Sequence, residues 1–414
     1  MVKLPYLTRW KPLEVFKDRS FRGLWGSDSL IALAEQIEFV ALAWFVLVET
    51  DSPFLLGLFG ALRWFGTLLS PFYGAVVDRL DRQRLLLLLR LFLIGLSICV
   101  LTLAVSDSLE VWHVFIVITL SGLGKSFNSV TRDAVMADIV SGDRLLNAVA
   151  VNGIGHSAAS MAGPLIGGVL VEQTSLSWVY ATLLVIFILA AVFTLPVRVP
   201  VIAASRQPLS VLKNVAEAAA YVRRDELLLA IMLLAFLVNF AAFPLTYGLL
   251  PVFAKDVLDT DAFGLAVLLW VSSTGAFLGS ITVASLSGLQ RPGRFTLIGM
   301  FGWYALTVLF SASSWFSISL ALLFLAGLFQ SFSQVTSHML LLKVTPGSLR
   351  GRVMGMRSMA IYGLPLGLLM TGAIADLWSA PIALAIDASI GLVLSLLIIL
   401  KLRSLWRYRT AATG

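Results

Sequence analysis

Charge is scarce in this chain. Asp, Glu, Lys and Arg together make up 13% of its 414 residues, about half the share of a soluble domain. Apolar residues make up 59%, more apolar surface than a soluble fold can hide, so lipid is the expected solvent. Cysteine is almost missing. The single Cys99 lies inside an apolar run, which excludes an intramolecular disulfide and leaves packing as its expected role. The N-terminal stretch from Met1 to Arg22 is basic and polar and lacks a short apolar core followed by a cleavage site, so no cleaved signal peptide is expected.

Site motifs of soluble enzymes are also lacking. Gly124-Lys125-Ser126 has the end of a phosphate-binding loop, but Thr119 stands where its first glycine belongs and no strand precedes it. Gly153-x-Gly155-x-x-Ala158 has dinucleotide spacing, yet it sits in an apolar run without a βαβ unit, and packing explains it better. With no catalytic triad or metal-ligand cluster in view, the chain is expected not to be an enzyme and to use no cofactor and no metal. The formal net charge of +7 is not read as a nucleic-acid footprint, because the basic residues fall in short loops between apolar runs.

What is present is a series of such runs, over 21–48, 54–77, 85–105, 111–140, 146–171 and 178–195, then, after a polar stretch, over 227–253, 263–286, 295–311, 315–344, 353–375 and 382–400. Most can cross a hydrocarbon core of about 30 Å as helices at 1.5 Å per residue. Backbone in lipid must bond to itself, and the alternation of a barrel strand is missing. The expected fold is therefore an all-α membrane protein of twelve spans. Its division is 1–195, a cytoplasmic linker over 196–225, and 226–414. Apolar residues at helical spacing across Leu209–Val222 predict an amphipathic linker helix on the membrane surface.

Lys and Arg alternate between loops. The N-terminal tail, Arg79 to Arg90, Arg144, the linker, Arg291 with Arg294, Lys343 to Arg357 and the C-terminal tail are basic. The opposite loops carry Glu49, Asp51, Asp107, Glu110, Glu172, Asp256, Asp259, Asp261 and Asp376, with Lys255 as their one base. The positive-inside rule then places both termini and the linker in the cytoplasm.

The chain also repeats itself. Gly122-Leu123-x-x-Ser126-Phe127-x-x-Val130-Thr131 returns as Gly327-Leu328-x-x-Ser331-Phe332-x-x-Val335-Thr336, and Gly142 and Gly347 keep the same offset, close to half the chain. The fourth run thus corresponds to the tenth, giving two parallel six-span repeats, with a binding site expected between them near the midplane.

Between the second and third runs, Gly74, Asp78, Arg79, Arg82 and Arg84 form a glycine, an acid and a basic cluster. This resembles the signature loop of the major facilitator superfamily. The resemblance implies that Gly74 allows close helix approach, and that Asp78 pairs with arginine and with the positive N-terminus of a helix in the other half during state switching. Gly163, Pro164, Gly167 and Gly168 in the fifth run resemble the glycine–proline motif of the superfamily's exporters. Phe21-Arg22, Asp138-Ile139-Val140 before Leu145-Leu146-Asn147-Ala148, and Leu349-Arg350-Gly351-Arg352-Val353 occur together in one branch, that of drug:proton antiporters and enterobactin exporters. The implied function is proton-coupled export of a small, partly apolar molecule such as a siderophore or a drug, from a bacterial cytoplasmic (inner) membrane. A lipid transporter, for instance of lysophospholipid, and a transport-dead sensor are the alternatives. The expected partners are the small-molecule substrate, protons and the lipid bilayer, with no nucleic acid, and the chain is expected to be a monomer.

Charges inside the runs mark candidate sites, since each costs roughly 2.5–3.5 kcal/mol at mid-helix on insertion scales. Asp28, Glu35 and Glu38 in the first run fall within an arc of about 80°. Lys125 and Arg132 in the fourth share a face, with Ser121 and Asn128 between, while Asp133 is expected to point elsewhere. In the superfamily the first, fourth, seventh and tenth helices line the cavity. That implies two antiparallel ladder pairs, Asp28–Arg132 and Glu35–Lys125, with Glu38 beyond them. Burial disfavours a carboxylate's charge and a nearby cation favours it, so Glu35 or Glu38 is expected to carry the proton and Asp28 to support it. A static ion pair is an equally good account of Asp28–Arg132. Arg63 in the second run is expected to pair with one of these acids. In the second half, Gln330, Ser337 and His338 replace Lys125, Arg132 and Asp133. That half is expected to offer a neutral polar surface for substrate, from Asn239, Tyr247, Gln330, Gln334 and His338, joined in the cavity by Asn128 of the first half. Asp387 in the last run is left without an assigned partner.

Overall fold

The computed structural model describes residues 12–140, 144–199, 211–286 and 289–409. The N-terminal tail up to Lys11, Gly142 and the linker from 200 to 210, with Leu209, lie outside them. Every regular element among the described residues is a helix. The principal ones are α1 (Arg19–Thr50), α2 (Pro53–Leu68), α3 (Arg82–Val105), α4 (Val111–Ile139), α5 (Arg144–Gln173), α6 (Leu176–Thr194), α7 (Glu226–Val257), α8 (Ala262–Ser285), α9 (Pro292–Ser311), α10 (Phe316–Val344), α11 (Gly351–Leu377) and α12 (Ala380–Lys401). Among the described residues eleven helices are long and apolar enough to cross a membrane, all of these except α2.

The shortfall at α2 has a local cause. Its run was expected to continue to Val77, but helical geometry lapses at Leu69 and a second helix, Ser70–Val77, begins with Pro71 in its first turn. Proline at that position lacks the N–H a continuing helix needs. The 16 residues of α2 therefore rise only about 24 Å, against a core of about 30 Å. α7 departs from regularity too, through π-helical turns at Leu245–Leu249 and Phe253–Val257.

The chain forms two compact units, Met1–Ala41 with Leu69–Gln207, and Leu42–Leu68 with Pro208–Gly414. In the first, α5 lies on α1 through glycines. A Cβ on Gly163 would come 2.4 Å from the Cβ of Gln36, and one on Gly167 3.1 Å from the Cα of Ile37. Pro164 stands inside the same helix. In the second unit, Gly275 on α8 and Gly327 on α10 face each other's partner backbone at Phe324 and Ser272, and Gly299 brings α9 against Ser333 of α10. Such small residues let helices approach closely in lipid, where apolar burial gives no drive for helix association. Gly163→Val is expected to destabilise the protein by about 1–3 kcal/mol through overpacking, read as a lower unfolding midpoint in detergent. Gly153→Ala is the control, because its Cβ would meet nothing within 4 Å.

The linker helix spans Val211–Arg224. Of the apolar positions described on it, two are covered by protein and Ala216 is exposed. Ala218 and Val222 are buried, Val222 in the core of the second unit, and Glu217 pairs with Arg352 at 2.5 Å. Side chains that are apolar and yet exposed, such as Leu88 and Leu91 on α3, Val185 on α6 and Leu397 on α12, give the helices outer faces suited to lipid.

Candidate functional site

The first unit buries a row of ionisable side chains along α1. Lys125 Nζ lies 2.6 Å from Glu35 Oε2, and Arg132 Nε lies 3.5 Å from Asp28 Oδ2. The seven-residue step repeats on both helices because seven residues make almost two full turns. Glu38 is 6% exposed and accepts hydrogen bonds from Ser121 Oγ at 3.1 Å and from the Tyr180 hydroxyl at 3.4 Å. Its Tyr180 partner, on α6, was not foreseen. A tyrosine in an apolar run carries no sign of which helix its hydroxyl will meet.

Arg90 corrects the sequence reading more sharply. Counted there among loop cations, it is 1% exposed within α3. Its Nε donates to Ser27 Oγ at 3.0 Å, and its two terminal nitrogens donate to Asn128 Oδ1 at 2.5 Å and Asp28 Oδ1 at 3.2 Å. Asp28 thus bridges two arginines. Asn128, expected as a substrate contact, is 6% exposed and holds Arg90 instead. The signal was available, since Arg90 falls within the apolar run 85–105 and belonged among the intramembrane charges. Arg132 also reaches its largely exposed neighbour Asp133, at 2.9 Å.

In the signature loop, Arg82 donates to Asp78 at 2.9 Å and to Asp138, at the end of α4, at 2.5 Å. Asp81 caps α3 by accepting from the backbone of Gln83 and Arg84. Arg84 otherwise extends outward, 85% exposed, beside Asp81, and Arg79 is exposed. Gly74 does not mark the close approach expected of it, because a Cβ there would meet nothing within 4 Å. Asp138, in sequence only part of a branch pattern, acquires a physical role as the second acid on Arg82.

The second unit holds the remaining candidates. Arg63 on α2 is 5% exposed, and Trp64 beside it packs edge-on against Tyr247 with ring centroids 5.3 Å apart. The side-chain amide of Asn239 donates back to Ala235 O at 2.9 Å, and Gln330 is half-buried on α10. Gln334 and His338 are not in neutral surroundings. Arg357, read from sequence as a loop cation, donates to Gln334 Oε1 at 3.3 Å and lies 3.1 Å from His338 Nδ1. Asp387 is fully buried. Thr371 Oγ1 donates to its Oδ2 at 3.1 Å, its Oδ1 has no hydrogen-bond partner, and no cation pairs with it among the described residues. A lone buried carboxylate costs several kcal/mol, so Asp387→Asn is expected to leave the unfolding midpoint unchanged or raise it. A loss above about 1 kcal/mol would show that the acid itself is needed.

A helical, multi-pass membrane protein with a buried row of acids and bases along its first helix is the class these features define. The family model for the Major Facilitator Superfamily matches residues 24–360, and the chain belongs to that superfamily. Macrolide efflux protein A of Streptococcus pyogenes is 22% identical, over 86% of this chain and 89% of its own length. The enterobactin exporter EntS of Salmonella choleraesuis (strain SC-B67) is 26% identical, over 81% of this chain and 80% of its own. The crystal structure of the nucleoside transporter NupG superposes with a TM-score of 0.71 at 13% identity, over 93% of this chain and 98% of its own. That likeness is one of fold. The protein is a transporter of small molecules and not an enzyme.

Proposed function

We propose that this protein is a proton-coupled exporter of a small, partly apolar molecule, working by alternating access in a bacterial inner membrane. The carrying observation is the buried row Asp28, Glu35, Glu38 with Lys125 and Arg132 in the first unit. In this reading α2, extended by Ser70–Val77, is the twelfth span, both termini are cytoplasmic, and the chain divides as two six-span repeats joined by the linker. The names of its relatives, efflux proteins for a macrolide and for enterobactin, support the direction.

Glu38 and Glu35 exchange the proton. A carboxylate beside a cation favours its charged form, and one enclosed by hydroxyls and apolar groups favours its acid form. A conformational change that moves either acid between such settings loads it on one side and unloads it on the other. Lys125, Arg132 and Arg63 act as charge partners, and Asp28 fixes the base of the row. Gly74, Asp78, Arg79, Arg82 and Arg84 form the switch loop, with Asp138 holding Arg82. Gly163, Pro164, Gly167 and Gly168 set α5 against the acid-bearing helix. Asn239, Tyr247, Gln330, Gln334 and His338 receive the cargo.

Everted membrane vesicles test this directly. With an acid interior, a macrolide or enterobactin is expected to accumulate inside, and a proton ionophore to abolish the accumulation. Accumulation indifferent to the ionophore overturns the coupling.

A further inference from the structure

We infer that Arg357, His338 and Gln334 form a binding subsite for an anionic oxygen group on the transported molecule. This rests on the exporter reading above and narrows its cargo to molecules carrying a carboxylate or a comparable oxyanion.

A guanidinium has five N–H groups and no acceptor. At 3.1 Å from Arg357 Nη1, His338 Nδ1 must therefore accept, which puts the ring proton on Nε2. Gln334 Oε1 is likewise taken by Arg357 Nη2, so its amide nitrogen keeps two donors to offer. Neither His338 Nε2 nor the Gln334 amide nitrogen has another partner among the described residues. Arg357 Nε is buried and makes no hydrogen bond. Every group this cluster still presents is a donor.

Charge points the same way. No carboxylate lies within ion-pairing distance of Arg357 among the described residues. The second unit's buried acid, Asp387, does not pair with it. By contrast Arg90, Arg132 and Lys125 in the first unit each meet an acid. A brace whose only task was to tie α11 to α10 would be supplied with acceptors at its buried nitrogen, because a bare buried donor costs about 1–3 kcal/mol. A half-buried arginine inside a span that lacks a protein anion is the arrangement of a ligand site. Its planar fork suits two oxygens of one oxyanion.

The probes are salicylate, an aromatic carboxylate, and salicylamide, its neutral counterpart, titrated by calorimetry into the full-length protein in phosphatidylcholine nanodiscs. Salicylate is expected to bind more tightly than salicylamide. Raising the salt from about 0.05 to 0.5 M should weaken salicylate alone, as screening of a charge pair requires. Arg357→Gln is expected to weaken salicylate at least tenfold with salicylamide unmoved, and Arg357→Lys to weaken it less. Equal binding of the two probes by the native protein overturns the subsite without needing any variant to fold. So does unchanged salicylate binding in a folded Arg357→Gln protein. An anionic lipid headgroup is the other source of such an oxyanion. Displacement of salicylate by phosphatidylglycerol in the discs, lost in Arg357→Gln, would overturn the cargo assignment in favour of lipid. The vesicle assay keeps the two readings apart. Ionophore-sensitive export without salicylate discrimination removes the subsite and leaves the exporter, whereas Arg357-dependent salicylate binding without ionophore-sensitive export does the reverse.

Discussion

Glu38→Gln is expected to reduce gradient-driven export to the level left by a proton ionophore, while the protein still reaches the membrane and unfolds at a midpoint near that of the native chain. Glutamine keeps the shape: its one oxygen accepts from one of the two hydroxyls, Ser121 or Tyr180, now 3.1 and 3.4 Å from separate carboxylate oxygens, and its amide N–H donates to the other hydroxyl, which turns to accept. What it removes is the ability to take up a proton. In the native protein, export should rise as the outer medium is made more acidic than the cytoplasm, since the proton enters as the cargo leaves. In Glu38→Gln the rate should no longer follow that difference. Glu35→Gln is expected to lose the same dependence and also some stability, because its carboxylate is the 2.6 Å partner of Lys125. Export that persists in both variants with its pH dependence intact would refute proton carriage by this row.

The ladder of α1 and α4 was legible because two facts of helix geometry sufficed. Charges seven residues apart share a face, and antiparallel neighbours run their faces in opposite order. Glu35 and Lys125 could therefore be paired from spacing once the resemblance made the two helices neighbours. Arg90 was not found, since grouping cations by loop hid a residue eight positions inside α3 behind Arg82 and Arg84, which do lie at its N-terminal edge. Arg357 was hidden in the same way within Lys343 to Arg357. Charge counts fix orientation, but they say nothing of how deep a given side chain lies. The spans were legible wherever apolar runs were unbroken. The end of α2 was not, because the run 54–77 stays apolar across Leu69-Ser70-Pro71 and hydropathy does not register a missing N–H. The surroundings of the linker helix were not legible for another reason. An amphipathic pattern shows that one side wants burial, and either lipid or protein satisfies it. Ala218 and Val222 found protein.

Asp28→Asn is expected to be the most destabilising single change in the first unit. Asp28 is the shared acid of Arg90 at 3.2 Å and Arg132 at 3.5 Å, and Arg90 has essentially no exposed surface. Neutralising Asp28 leaves Arg90 hydrogen-bonded to neutral groups alone, Ser27, Asn128 and at best the amide oxygen that replaces the carboxylate. Breaking a buried pair from one side costs about 3–5 kcal/mol, a large part of a total near 5–15 kcal/mol. Arg132→Gln should cost much less, because its side chain is 23% exposed and Asp28 keeps Arg90. These outcomes are read as unfolding midpoints and as yield of monodisperse protein in detergent. Replacing both partners, as in Asp28→Leu with Arg90→Met, should recover most of the loss, since a buried pair exchanged for apolar groups of similar volume is often neutral. The same double variant separates the two roles open to Asp28. If it folds and still couples export to the proton gradient, the pair is a brace holding α1 to α3 and α4. If it folds and transports without following the gradient, Asp28 belongs with Glu35 and Glu38 in handling the proton. Asp28→Asn as stable as the native chain would show that Arg90 does not depend on this acid, and the network would lose its claim to hold the first unit together.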